Sequence, residues 1–278
     1  YKYPFLIYTV MKHIISPKSI SLTDIENIIN NKVTLELSDE SKNLITKCRK
    51  YLDSKLQNSK DPVYGINTGF GSLCNTEINQ KDLSQLQTNL VMSHACGCGN
   101  EIPDEIVRLM LFLKIKSVAY GNSGVKLETV ELMVELFNND VFPVVYEQGS
   151  LGASGDLAPL AHMSLPLLGL GEVRYKGEKY PSEKILKKLN LKPVVLSSKE
   201  GLALLNGTQF MQAFGVFSLV KGIRLSKLSD VIASVSLQAF DGTIEPFDEL
   251  LHILRNHKGQ ITTAKRIKDL VGDAGIMT

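Results

Sequence analysis

Cysteine is scarce in this chain. Cys48, Cys74, Cys96 and Cys98 are its only four, too few and too unevenly placed for a disulfide framework. A reduced, cytosolic compartment is therefore expected. An excess of charge of one sign is also missing. Lysine and arginine number 31 against 29 aspartates and glutamates, a formal net charge of +2, which gives no support to a nucleic-acid binder, since those usually show a basic stripe. No apolar run is long and unbroken enough for a membrane span. The longest, Gly201 to Val220, is interrupted by Asn206, Gln209 and Gln212 and reads as buried helix. Pro4 to Val10 is too short for a secretory signal and has no small-residue cleavage pattern. Internal repeats and low-complexity linkers are absent as well. What remains is globular: 44% hydrophobic and 22% charged residues over 278 positions, enough to bury a sizeable core in one large domain or two ordinary ones.

Hydrophobic periodicity predicts a mainly helical chain. Thr23 and Glu26 have capping-box spacing, in which a hydroxyl and a carboxylate three residues apart satisfy orphan amides. They would open a short helix with Ile25, Ile28 and Ile29 on one side. From Ser41 the set Leu44, Ile45, Cys48, Tyr51, Leu52, Leu56 repeats every 3.6 residues. Leu83 to Val91, Ile106 to Ala119 behind Pro103, and Leu127 to Phe137 follow the same rule. Strand signals are few. Val141 to Tyr146 contains Pro143 and can only be extended or an edge. Val173 to Tyr180 reads as a hairpin turning at Gly177. Thr208 to Phe240 is apolar nearly all round, as suits one or two helices within a bundle. The chain opens on Tyr1 and stops at Thr278 just after helix-like Ile261 to Leu270, so a fragment is expected.

The densest run of small residues is Gly149-Ser-Leu-Gly-Ala-Ser-Gly-Asp-Leu-Ala-Pro-Leu160. One reading is a loop that caps a helix at Asp156 or forms a backbone nest for phosphate. The phosphate form is poorly supported, because no P-loop lysine follows and GxGxxG spacing is absent. The other reading is chemical. In a tight bend the Gly155 amide nitrogen can attack the Ala153 carbonyl carbon and close a five-membered ring. Glycine suits this because it lacks a Cβ and tolerates strained dihedrals. Loss of one water from that adduct and one from the Ser154 side chain leaves an exocyclic methylene, an electrophile made from backbone.

Gly149 to Gly171, with Ala153-Ser-Gly-Asp-Leu-Ala-Pro-Leu-Ala-His162, closely resembles the signature of the aromatic amino acid ammonia-lyases. Tyr64-Gly-Ile-Asn-Thr-Gly-Phe-Gly71, Asn89-Leu-Val-Met-Ser-His94 and Lys199-Glu-Gly-Leu-Ala-Leu-Leu-Asn-Gly-Thr208 match further blocks in the family's order. The resemblance runs from about Ser21 to the end and is greatest to the members that act on histidine. It implies a mainly α, fumarase/aspartase-like helical fold with a few short strands in an N-terminal region, residues 1–200. Residues 201–278 would begin a central helical bundle.

The resemblance also implies chemistry. Ala153, Ser154 and Gly155 would cyclise to methylidene-imidazolone (MIO), with no metal and no external cofactor. The reaction would be elimination of ammonia from L-histidine to give trans-urocanate, the first step of histidine degradation. The electrophile would engage the substrate amine as a leaving group, and surrounding dipoles would stabilise the transition state. A helix beginning at Asp156 would favour negative charge on the ring. Tyr64 would be an acid/base group near the substrate; read alone, it is sooner an aromatic anchor before a glycine turn. Asn206 would support the MIO carbonyl region, or cap a helix starting at Asn-Gly-Thr-Gln209. His94 would hydrogen-bond the substrate imidazole.

A metal site at His94, Cys96 and Cys98 is the rival to that last role, although the spacing matches no common zinc pattern. The cysteines depart from the family's small apolar residues and fit as small thiols. Family chains run past the point where this one stops, into another catalytic tyrosine and a carboxylate-binding arginine. Their sites draw on several subunits of a homotetramer, so this stretch alone is not expected to turn over. Two alternatives stay open: a non-catalytic remnant that only co-assembles, and an MIO lyase or aminomutase for another aromatic amino acid.

Overall fold

The computed structural model describes residues 11–58, 63–68 and 82–272. The chain divides into two compact units, Tyr1–Phe217 and Ser218–Thr278. Pro4 to Val10, and Cys74 with the stretch 69–81 that follows the Tyr64 turn, lie outside the described residues.

The first unit opens with a parallel strand pair that hydrophobic periodicity did not predict. β1 (Met11–Ile15) pairs β2 (Val33–Leu37) in the register Met11 to Val33, across α1 (Leu22–Asn30). Val33, Leu35 and Leu37 alternate inward along β2, the two-residue period of a half-buried strand. The capping box of α1 lies two residues earlier than Thr23 and Glu26. Ser21 accepts the Asp24 amide, while the Asp24 carboxylate accepts the Ser21 amide. The chemistry and the spacing are the same, and the earlier start still buries Ile25 and Ile28.

α2 (Asp39–Asn58), α3 (Leu83–His94), α4 (Asp104–Val118) and α5 (Leu127–Asn138) follow. α4 forms the centre of the core, with Leu109, Met110, Leu111, Phe112 and Ile115 all at most 1% exposed. Truncation of one such side chain to alanine costs about 2–5 kcal/mol. Its neighbour α5 buries Val130, Met133, Leu136 and Phe137.

Short strands line one flank. β3 (Cys98–Glu101) pairs β5 (Tyr146–Gln148), while β4 (Val141–Pro143) is the edge of a three-stranded sheet with β6 (Glu172–Tyr175) and β7 (Glu178–Pro181). Pro143 thus occupies an edge, where its missing N–H does least harm. Gly177 turns the β6–β7 hairpin at φ 82°. α6 (Leu157–Ser164), α7 (Ser182–Lys188) and α8 (Glu200–Leu205) complete the elements around the site.

Gly201 to Val220 is not one helix. It breaks at Asn206–Thr208, where Gly207 takes φ 145°, and α9 (Gln209–Ala239) begins immediately after. The second unit contains the later part of α9 with α10 (Glu249–Arg255) and α11 (Lys258–Val271). Ala264, Ile267 and Val271 are its buried stripe on α11, and Arg266 pairs with Asp230. Leu225, Ile232 and Val235 of α9 are exposed. Among the described residues no helix is long and apolar enough to cross a membrane.

Candidate active site

The Ala153-Ser154-Gly155 segment is bent tightly. The Gly155 N–H donates to the Gly152 carbonyl at 3.4 Å, which puts Ala153 and Ser154 at the tip of the turn, both exposed. The Ser150 hydroxyl donates to the Gly155 carbonyl at 3.1 Å. Gly155 has φ 92°, and a Cβ there would run into the Gly207 carbonyl oxygen. Residue 155 must therefore be glycine for two separate reasons: its backbone is left-handed and the space beside it is filled.

Asp156 joins two segments of the first unit. Its amide donates to the Gly207 carbonyl at 2.8 Å, and its carboxylate accepts the Met211 N–H at 3.0 Å. α6 starts directly after Asp156, but the side chain makes no capping bond to that helix. It satisfies an orphan amide in the first turn of α9 instead.

The turn forms one wall of a cleft of about 200 Å³ whose lining includes His94, Cys96, Ala153, Ser154, Gly155 and Leu157. His94 ends α3, where its Nδ1 lies 2.8 Å from the Leu90 carbonyl. A carbonyl only accepts, so Nδ1 carries the proton of the neutral ring and Nε2 is its acceptor nitrogen. Asn206 is the C-terminal cap of α8 and not the start of a helix. Its Nδ2 donates to Leu202 O at 3.3 Å, and its Oδ1 lies 3.5 Å from the Ser154 hydroxyl. The structure therefore brings His94, Ala153, Ser154, Gly155 and Asn206 together. Tyr64 sits on a separate turn and is 53% exposed; it is not among the described residues that line this cleft.

Two side chains here were not singled out from sequence. His162 of α6 accepts the Gly97 N–H on Nε2 at 2.9 Å and meets Tyr146 edge-on, with ring centroids 5.1 Å apart. It fixes the segment that carries Cys96, and burial lowers its pKa. Lys114 of α4 donates to the Asn206 carbonyl at 2.9 Å. A lysine in a helix reads by default as a solvated charge. The available signal was its position four residues from both Met110 and Val118, on a face where those neighbours are buried. Among the described residues no group of three histidine, cysteine, aspartate or glutamate side chains could hold a metal ion.

Residues 20–278 match the family described as aromatic amino acid lyase. The histidine ammonia-lyase of Caldanaerobacter subterraneus subsp. tengcongensis is 41% identical over 267 residues, which are 96% of this chain and 52% of that protein. The crystal structure of histidine ammonia-lyase from Trypanosoma cruzi superimposes with a TM-score of 0.87 at 36% identity, covering 95% of this chain and 52% of that one. Tyrosine aminomutase from Streptomyces globisporus superimposes with a TM-score of 0.89 at 27% identity, covering 97% and 50%. The chain spans about half the length of the curated relatives it matches.

Proposed function

The chain belongs to the aromatic amino acid lyase family, and on that premise we propose that the whole protein eliminates ammonia from L-histidine to give trans-urocanate. The observation that carries this reading is the closed Gly152–Gly155 turn, exposed at its tip inside a cleft that His94 also lines.

The turn fits the MIO group. Ring closure needs the Gly155 nitrogen to approach the Ala153 carbonyl carbon, and the Gly152–Gly155 bond already folds the segment back on itself. The Gly207 carbonyl packs against the space where any other residue would carry a Cβ. Once formed, with the loss of two waters, the ring supplies an electrophilic methylene for the substrate amine. Asn206 lies beside the ring region, its Oδ1 3.5 Å from the Ser154 hydroxyl that dehydration removes, and its amide group is the proposed support of the ring. The Nε2 acceptor of His94 takes the N–H of the substrate imidazole and so selects histidine over an apolar ring. The amides that open α6 directly after Asp156 favour developing negative charge on the ring. Tyr64 is the proposed acid/base group.

A homotetramer belongs to the same reading. Leu225, Ile232 and Val235 expose an apolar stretch of α9 that suits burial against other subunits. Cytosolic residence is supported by the free, exposed thiols of Cys96 and Cys98.

The test uses the full-length protein. Peptide mapping should show residues 153–155 lighter by two waters, and urocanate should form from L-histidine. An intact tripeptide together with no urocanate would support a non-catalytic remnant. A dehydrated tripeptide that turns over tyrosine or phenylalanine and not histidine would transfer the reading to a lyase or aminomutase for another aromatic amino acid.

A further inference from the structure

Lys114 lies at the centre of the core and is only 1% exposed. Its ammonium group has one described hydrogen bond, to the main-chain carbonyl of Asn206 at 2.9 Å. Burial alone pushes its pKa down to about 7. Packing does not explain such a residue, since methionine would fill a similar volume without burying a polar head.

The place it anchors is informative. Asn206 ends α8, Gly207 turns the chain at φ 145°, and α9 opens two residues later. The carbonyl next to the one Lys114 holds, that of Gly207, accepts the Asp156 amide at 2.8 Å and crowds Gly155. The side chain of Asn206 reaches Ser154. The hydrogen bond from α4 thus ties to the core, beside the Asp156 bonds, the short bend against which the reactive tripeptide is folded.

We propose that Lys114 is a positioning residue that holds the Asn206–Gly207 bend so that the Ala153-Ser154-Gly155 turn is kept in the geometry for ring closure and turnover. This rests on the proposed ammonia-lyase reading. Lys114 is not among the described residues that line the cleft, and its described hydrogen bond leads to the tripeptide through Asn206.

The test compares full-length wild type with Lys114→Met, which removes the donor, and Lys114→Arg, which keeps one. Three quantities are read: the fraction of tripeptide dehydrated by mass, kcat per dehydrated site, and KM. The methionine variant should fold but lose at least about ten-fold in dehydrated fraction or in kcat per site, with KM within about three-fold. The arginine variant should recover part of that loss. A folded methionine variant with a fully dehydrated tripeptide and wild-type kcat would overturn the proposal, as would an arginine variant no better than methionine. If the methionine variant does not fold, the arginine variant decides: dehydration within about two-fold of wild type supports the anchor, and a folded arginine variant lacking the ring overturns it. Wild type that never dehydrates refutes the ammonia-lyase reading itself, whereas wild-type dehydration that is indifferent to residue 114 refutes only this inference.

Discussion

The carbonyl oxygen of Gly207 occupies the space that a Cβ on Gly155 would need. The two glycines are 52 positions apart in sequence, yet the amide after one and the carbonyl of the other are joined through Asp156 at 2.8 Å. Gly155→Ala would have to move the start of α6 or the bend before α9. The expected outcome is loss of tripeptide dehydration, read by intact mass, with a stability loss of about 1–3 kcal/mol from overpacking.

Ser154→Ala should behave differently. Ser154 is exposed and its described contact, with Asn206 Oδ1, is long at 3.5 Å. Removing the hydroxyl removes the atom whose loss creates the methylene but little packing. Denaturant unfolding should shift by no more than ~0.5 kcal/mol while urocanate formation falls to background. A variant that keeps wild-type turnover would refute the MIO assignment.

His94→Leu removes the acceptor proposed for the substrate imidazole. The cost of one such polar contact, about 1–3 kcal/mol, corresponds to roughly five- to one-hundred-and-sixty-fold in kcat/KM for L-histidine. The same variant should not weaken L-phenylalanine turnover in parallel. Equal losses on both substrates would assign His94 to the α3 terminus alone.

His162 gives a pH dependence of known sign. Burial holds its pKa below the ordinary 6.5, and only the neutral ring can accept the Gly97 amide. The unfolded chain therefore takes up the proton first as pH falls. The His162 contribution is fully present above pH 6.5 and is lost on descending from there through its folded pKa. His162→Phe should cost about 1–3 kcal/mol at pH 8 by orphaning the Gly97 N–H, and the difference from wild type should shrink towards pH 5. Unfolding midpoints of both proteins across that range measure it.

How far the sequence disclosed this structure depended on the residue. α4 and α5 were legible because their apolar residues are dense enough to fix both type and extent, and the β6–β7 hairpin because Gly177 supplies a turn at φ 82°. The β1–β2 pair was hidden, since five residues such as Val33 to Leu37 carry a weak period and their partner lies across a helix. Ser21–Asp24 and Thr23–Glu26 have equivalent capping chemistry, and only the packing of Ile25 and Ile28 accompanies the choice. At the candidate site, the tripeptide and His94 were accessible through motif and spacing. The break at Asn206–Thr208 was half legible: Asn-Gly-Thr-Gln209 offered a helix start, and α9 does begin at Gln209, while the apolar residues on both sides made Gly201 to Val220 read as one buried helix. Lys114 was obscured by its own charge, because what marks it is a tertiary contact 92 positions away.

The left-handed backbone of the Gly149–Gly155 loop also has a genetic consequence. Gly149, Gly152 and Gly155 adopt φ 141°, 83° and 92°, and every missense change in a glycine codon adds a side chain. Each such change forces an L-residue into a conformation that most avoid. At Gly149 it also meets the Gly97 backbone at 2.9 Å. Within the loop, neutral drift is thus channelled to Leu151, which is 93% exposed. Leu151 is accordingly the place where sister lineages should differ, and where a reporter group could be attached beside the cleft with least disturbance to the turn.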